Sequence, residues 1–322
     1  MTERPRLVVT RRLPAAVEAA LAERFEVQCD PDDRPLSAAA LRRAVASADA
    51  LLPTVTDRLD AEVFAEATGR CRVIANFGVG VNHIDLAAAG RAGCIVTNTP
   101  DVLTDDTADL ALFLMLAVLR GAGAGERRLR AGAWDGWGPT RDLGRRLSGK
   151  TLGIVGFGRI GQAVARRAMH GFGMRVLVWS RRRPPAATLD GVTWVEDLDA
   201  LLPAIDVLSL HTPGSATTRH LLDARRLALL PAHAVLVNTA RGDVVDEGAL
   251  VEALAAGRLA GAGLDVYERE PVVHPGLLTR EDVVLLPHLG SATVESRVAM
   301  GMRALENLVA VFDGRAPRDR VA

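Results

Sequence analysis

Three short segments of the 322-residue chain carry side chains suited to moving charge. "LVNTARGDVVDEGAL" (236–250) places Arg241 after an apolar run, "GAGLDVYEREP" (261–271) places Asp265, Glu268 and Glu270 after another, and "LLPHLGSAT" (285–293) places His288 after a third. A guanidinium is a permanent cation, and a free imidazole titrates near pH ~6.5 while carboxylates ionise near ~4. Such a set can stabilise developing negative charge and pass a proton at neutral pH. Taken singly, each has a dull reading: Arg241 as a solvated loop charge, Glu270 as a surface acid, His288 as a packed turn residue. If the three apolar runs are strands of one parallel sheet, the three groups share its carboxyl edge. Open α/β sheets bind ligands there, and a site becomes the better reading.

A second pattern lies upstream. "TLGIVGFGRIGQAVARRA" (151–168) sets Gly156, Gly158 and Gly161 as G-x-G-x-x-G between an apolar run and a helical stretch. The triplet matches many turns by chance, and the strand before and helix after give it meaning. Gly156 permits the tight turn, Gly158 lets a pyrophosphate approach the backbone, and Gly161 lets helix and strand pack closely. The helix N-terminus then offers free N–H groups and partial positive charge to the phosphates. The next strand ends in "VLVWSRRRP" (176–184), where an NAD enzyme usually carries an acidic residue for the ribose hydroxyls. Ser180, Arg181 and Arg182 stand there instead, a hydroxyl and guanidinium forks that suit a 2′-phosphate. NADP(H) is therefore the expected cofactor, with NAD(H) possible. Arg183, beside Pro184, is expected to face solvent. The competing reading is an arginine-rich solvated turn, because only Lys150 among the 39 basic residues is a lysine.

Composition narrows the class. Lys+Arg and Asp+Glu both number 39, so no global basic field favours nucleic acid or an anionic membrane. Cys29, Cys71 and Cys94 are scattered without metal-ligand spacing and read as reduced core thiols, which suits the cytosol. No metal site is expected. "MTERPRLVVTRRLP" lacks an apolar signal core, and the longest apolar run, "LALFLMLAVL" (110–119), is too short to span a bilayer. The expectation is a soluble cytoplasmic protein.

These groups need elements to position them. "RLVVT" (6–10), "ALLPT" (50–54), "RVIANF" (72–77) and "CIVTN" (94–98) read as a first series of strands, with helical stretches such as 14–25 between them. "TLGIVGF" (151–157), "MRVLVWS" (174–180), "DVLSLHTP" (206–213), "AVLVNTA" (234–240), "GAGLDV" (261–266) and "VVLLPH" (283–288) form a second. Continuous apolar strands alternating with helices mean parallel sheets covered on both faces. The fold class is α/β with two Rossmann-like parallel-sheet domains, 1–100 plus 289–322 and 101–288. A long helix within 101–120 opens the second. After it, a Gly- and Arg-rich stretch without a strand is long enough to be functional or an interface arm. The final helix, roughly 291–313, can cross back to the first domain.

Taken together, "NTARGDVVDE", "GLDVYEREP" and "LPHLGSAT" resemble the D-isomer-specific 2-hydroxyacid dehydrogenases over essentially the whole chain. "FGVGVNHIDLAAA", "WDGWGPTRDLG", "GKTLGIVGFGRIGQAVARRA" and "GFGMRVLVWSRR" are most similar to the glyoxylate/hydroxypyruvate reductases within that family. The resemblance implies a flavodoxin-like substrate domain, a dinucleotide-binding domain and an active site in the cleft between them. It implies His288 as acid/base, Glu270 as its carboxylate partner and Arg241 as the cation that orients substrate. Glu270 would keep His288 protonated until the proton is needed. It further implies that the N–H groups of Val79 and Gly80 hold the substrate carboxylate. Thr107, Gly156, Gly158, Arg159, Ile160, Gly161, Ser180, Arg181, Arg182, Thr239, Ala240, Asp265, His288 and Gly290 are the implied cofactor contacts, Asp265 near the nicotinamide carboxamide.

In relatives the arm carrying Trp134 and Trp137 embraces a second subunit, so a homodimer is expected. Trp137 is the candidate to wall the partner's pocket, and simple packing in the interface is the alternative. Val79 stands where phosphite dehydrogenases have Lys, and Glu270 where formate dehydrogenases have Gln, which disfavours both. The expected reaction is reduction of glyoxylate or hydroxypyruvate. The alternatives are another 2-oxo acid, or a dinucleotide-sensing corepressor of the same fold.

Overall fold

Parallel strands whose side chains are buried on both faces carry the architecture, as the continuous apolar runs require. The computed structural model describes residues 4–322. Its strands are β1 (Arg6–Val9), β2 (Glu26–Gln28), β3 (Ala50–Leu52), β4 (Val73–Ala75), β5 (Ile95–Thr97), β6 (Thr151–Val155), β7 (Arg175–Trp179), β8 (Val192–Trp194), β9 (Val207–Leu210), β10 (Val235–Asn238), β11 (Gly261–Leu264) and β12 (Val283–Leu285). Two sheets form, in the orders β2-β1-β3-β4-β5 and β12-β11-β10-β9-β6-β7-β8, with every strand pair parallel. The first order is that of a flavodoxin-like sheet, and the second is a dinucleotide-binding order extended by one edge strand.

The chain divides into two compact units, Met1–Leu103 with Ala292–Ala322, and Thr104–Ser291. In the second unit the strand order reverses between β6 and β9, which leaves a crevice at their carboxyl ends. Helix Thr104–Leu119 packs across β10 and β11 through Ala108, Ala111, Leu114 and Met115, all buried. Gly263 allows this approach, because a Cβ there would lie 3.0 Å from the Leu114 side chain. Among the described residues no single helix is long and apolar enough to cross a membrane. In the first unit the final helix Val294–Phe312 packs on β4 and on helix Ala15–Arg24.

Four features depart from the sequence expectation. Strands β2 and β8 were not expected, and both are three-residue edge strands. Their one free edge removes the need for a continuous apolar run. The Gly- and Arg-rich stretch begins with a helix, Ala122–Arg130, that has no buried residue. Cys71 and Cys94 are buried thiols, but Cys29 is only half-buried and does not belong to the core.

Candidate functional site

The second unit assembles the chemistry at the carboxyl ends of its strands. Strand β6 runs into Gly156, whose φ of +93° and crowding against the backbone of His211 and Thr212 exclude a side chain. Gly158 caps helix Arg159–Phe172, and a Cβ built there meets nothing within 4 Å. A Cβ at Gly161 would lie 2.3 Å from the Gly156 carbonyl oxygen, so strand and helix touch as closely as backbones can. Open space above a helix N-terminus, with Arg159 and Ile160 in its first turn, fits a dinucleotide pyrophosphate.

At the end of β7 the arginines differ from one another. Arg183 is exposed, as expected of it, and its guanidinium stacks over the Trp194 ring at 5.2 Å. Arg181 donates to Thr217 Oγ1 at 3.3 Å. Among the described residues neither Arg181 nor Arg182 has a carboxylate in ion-pair range, whereas Arg225 and Arg226 share Asp199. Ser180, expected to donate to a phosphate, instead donates its hydroxyl to the Arg182 carbonyl at 2.7 Å. In this geometry it pins the turn that presents the arginines.

The carboxyl ends of β10, β11 and β12 bring Arg241, Glu270 and His288 together. His288 Nδ1 and Glu270 Oε2 are 2.8 Å apart. A carboxylate only accepts, so Nδ1 carries the proton and Nε2 is left to exchange one with a ligand. Burial pushes the Glu270 carboxyl up, but the His288 hydrogen bond and charge, the Tyr267 N–H and the Arg241 charge together hold it below its usual range. Glu270 is therefore an anion at neutral pH. Arg241 is pulled down by burial, against the attraction of Glu270 and Asp243. Its Nη1 donates to the Ala240 carbonyl at 2.7 Å. Asn238 shapes that turn by accepting from Ala240 N–H at 3.0 Å and donating to the Arg241 carbonyl at 2.9 Å.

His288 has a φ of +58°, uncommon for a side chain with a Cβ, and its neighbours hold it there. Its N–H donates to the Asp265 carbonyl at 2.9 Å. The Asp265 carboxylate accepts from Leu289 N–H at 2.6 Å and from Gly290 N–H at 2.8 Å. Thr107 donates to the Gly290 carbonyl at 2.8 Å. Asp265, expected near the nicotinamide, thus has a visible task in fixing the histidine turn. Burial pushes its carboxyl up, and the two N–H donors and the His288 charge offset only part of that. Thr239 is buried and its hydroxyl has no hydrogen-bond partner among the described residues.

Other expected residues stand apart from this cluster. Val79 and Gly80 belong to the loop after β4 in the first unit, and both are half-buried. Trp134 and Trp137, in the arm after helix Ala122–Arg130, are 54% and 84% exposed, large apolar faces turned to solvent. Missing from the sequence reading were Tyr267, Asn238, Asn76 and Asn98. A readable trace existed for the three asparagines, since each closes a buried strand where an apolar residue would serve packing equally well. Among the described residues no group of three or more His, Cys, Asp or Glu is placed to hold a metal ion.

Residues 112–290 match the family model described as D-isomer specific 2-hydroxyacid dehydrogenase, NAD binding domain. The glyoxylate reductase of Thermococcus kodakarensis is 45% identical over 318 residues, covering 98% of this chain and 95% of its own. A solved structure from Thermus thermophilus superposes with a TM-score of 0.90 at 46% identity, covering 98% of this chain and all of that one. The NADPH-dependent glyoxylate/hydroxypyruvate reductase of Sinorhizobium meliloti, solved with NADP and malonate, superposes with a TM-score of 0.89 at 36% identity, covering 99% and 97%.

Tyr267 ties the ends of β11 and β12, because its hydroxyl donates to the Leu286 carbonyl at 2.8 Å and lies 3.3 Å from that of Leu264. Burial pushes the phenol far up, so it stays a donor at any working pH. Tyr267→Phe should lower stability by about 1–3 kcal/mol by leaving the Leu286 carbonyl without its donor. The measurement is the urea midpoint at constant slope, and an unmoved midpoint would show that the bond contributes nothing.

Proposed function

The chain belongs to the D-isomer specific 2-hydroxyacid dehydrogenases, and from that premise we propose that it reduces glyoxylate or hydroxypyruvate to glycolate or D-glycerate, with NADPH preferred over NADH. The observation that carries the reading is the 2.8 Å pair of His288 and Glu270 beside Arg241, in the unit that holds the phosphate loop. Bound NADPH supplies the hydride for the carbonyl carbon. His288 delivers a proton from Nε2 to the carbonyl oxygen as that oxygen gains charge. Glu270 fixes the imidazole through Nδ1, which leaves Nε2 to face the carbonyl oxygen. Arg241 polarises the carbonyl and pairs with the carboxylate. In the first unit, the N–H groups of Val79 and Gly80 are suited to bind a carboxylate.

Turnover on a panel of 2-oxo acids tests the reaction directly. His288→Gln should nearly abolish reduction and leave NADPH affinity intact. Glu270→Gln should lower kcat for reduction on the order of tenfold or more with NADPH affinity intact, because the anion that orients the imidazole is gone. An unchanged kcat sinks the pairing.

The NADPH preference rests on Arg181 and Arg182, exposed at the end of β7 without carboxylate partners among the described residues. Arg181→Ala should cost on the order of tenfold to a hundredfold in NADPH affinity, with NADH nearly unaffected. Ser180→Asp combined with Arg181→Ala should prefer NADH outright. A wild type that already favours NADH in kcat/KM would return the arginines to a solvated turn.

The exposed Trp134 and Trp137 suit a homodimer interface, with Trp137 reaching the partner's pocket. Trp137→Ala should then weaken discrimination between glyoxylate and hydroxypyruvate more than it weakens dimerisation. A monomer in sedimentation at micromolar concentration removes this proposal.

A further inference from the structure

The loop Gly78–Gly80 in the first unit is held by its carbonyl oxygens. Asn76 Nδ2 donates to the Gly78 carbonyl at 2.9 Å and to the Gly80 carbonyl at 3.1 Å. Asn98, from the end of neighbouring β5, donates to the Val79 carbonyl at 2.8 Å, and Thr99 N–H adds a second donor to Gly78 at 3.1 Å. Asn76 is fully buried, and its amide oxygen lies 3.0 Å from His83 Nε2. The two carbonyls can only accept, so they fix the NH2 end of the amide toward the loop, and His83 Nε2 then donates to its oxygen.

In a trans planar peptide the carbonyl of one residue and the N–H of the next point in opposite directions. Three successive carbonyls turned toward the asparagines therefore turn the N–H groups of Val79, Gly80 and Val81 the other way. Among the described residues none of these three N–H groups has a protein acceptor. Consecutive N–H groups turned outward form a cradle for an anion.

We infer that Asn76 and Asn98 are positioning residues for the substrate carboxylate. They do not touch it, but they set the peptide planes that do. This rests on the proposed reductase function and extends it. An amide suits the task because it brings two donors in a fixed plane and no charge. An Asp in either place would lack the donors and repel the carboxylate.

The test is steady-state kinetics with glyoxylate, and oxamate binding to NADPH-saturated protein, for Asn76→Ala and Asn98→Ala in the full chain. The KM for glyoxylate and the dissociation constant for oxamate should rise roughly tenfold (about 1.4 kcal/mol). The kcat and the NADPH Kd should stay within about twofold, the pattern of lost ground-state and transition-state binding alike. Should Asn76→Ala fail to fold, Asn98→Ala decides, because that side chain is only half-buried and anchors Val79. A fall in kcat or active fraction with KM and oxamate affinity unmoved overturns the inference and leaves a structural role. A wild type that neither turns over 2-oxo acids nor binds oxamate overturns the function and the inference together. Wild-type turnover with unaltered KM in both variants overturns the inference alone.

Discussion

The hydrogen bond between His288 Nδ1 and Glu270 Oε2 joins the loops after β11 and β12, and much of the second unit exists to keep its length at 2.8 Å. Moving either strand end by an ångström would break it, because hydrogen bonds weaken steeply beyond their usual range. Tyr267 couples the two loops through the Leu286 carbonyl. Its backbone N–H donates to Glu270 Oε1 at 3.0 Å, so one residue steadies both partners. Asp265 holds the other side through the backbone of His288, Leu289 and Gly290. The positive φ of His288 is tolerable in this setting, since a strained backbone persists where its surroundings over-determine it.

Gly242 connects this arrangement to β10. A Cβ there would lie 1.8 Å from the Tyr267 carbonyl carbon, so the turn after Arg241 rests directly on the backbone that carries Glu270. Arg241 and Glu270 are thereby fixed by main-chain contact, and long side chains need not find each other. The consequence is electrostatic. An anion held below its usual pKa beside a buried guanidinium keeps both groups charged at neutral pH, ready without reorganisation.

The sequence made the central strands and the chemical groups legible because both obey strong constraints. A strand buried on both faces must be apolar throughout, and a group that moves protons or holds phosphate has few substitutes. Edge strands β2 and β8 escape the first constraint, with partly exposed residues such as Glu26 and Thr193 in them. The supporting residues escape the second. Asn238, Tyr267, Asn76 and Asn98 act by hydrogen bonds to main-chain carbonyls or N–H groups whose positions no spacing rule encodes. Asp265 shows the same limit, for its place at a strand end was legible while its bonds to the turn of His288 were not. The Ser180 hydroxyl, legible as a donor suited to phosphate, also bonds to the Arg182 carbonyl of its own turn, which no spacing rule encodes.

The two proposed anion sites share a physical choice. The phosphate loop presents N–H groups at a helix N-terminus, and the loop after β4 presents them from peptides anchored by two asparagines. Backbone donors do not titrate, carry no net charge and cannot swing away. A second cation on the substrate carboxylate would bind ketone and alcohol forms alike, and such uniform binding does not speed the chemical step. Among the three proposed catalytic groups, Arg241 is the permanent charge that can favour the oxygen gaining negative charge. Differential stabilisation of that oxygen is what accelerates reduction. Anchored neutral donors therefore suit a group whose charge does not change in the reaction, and a permanent cation suits an oxygen whose charge does.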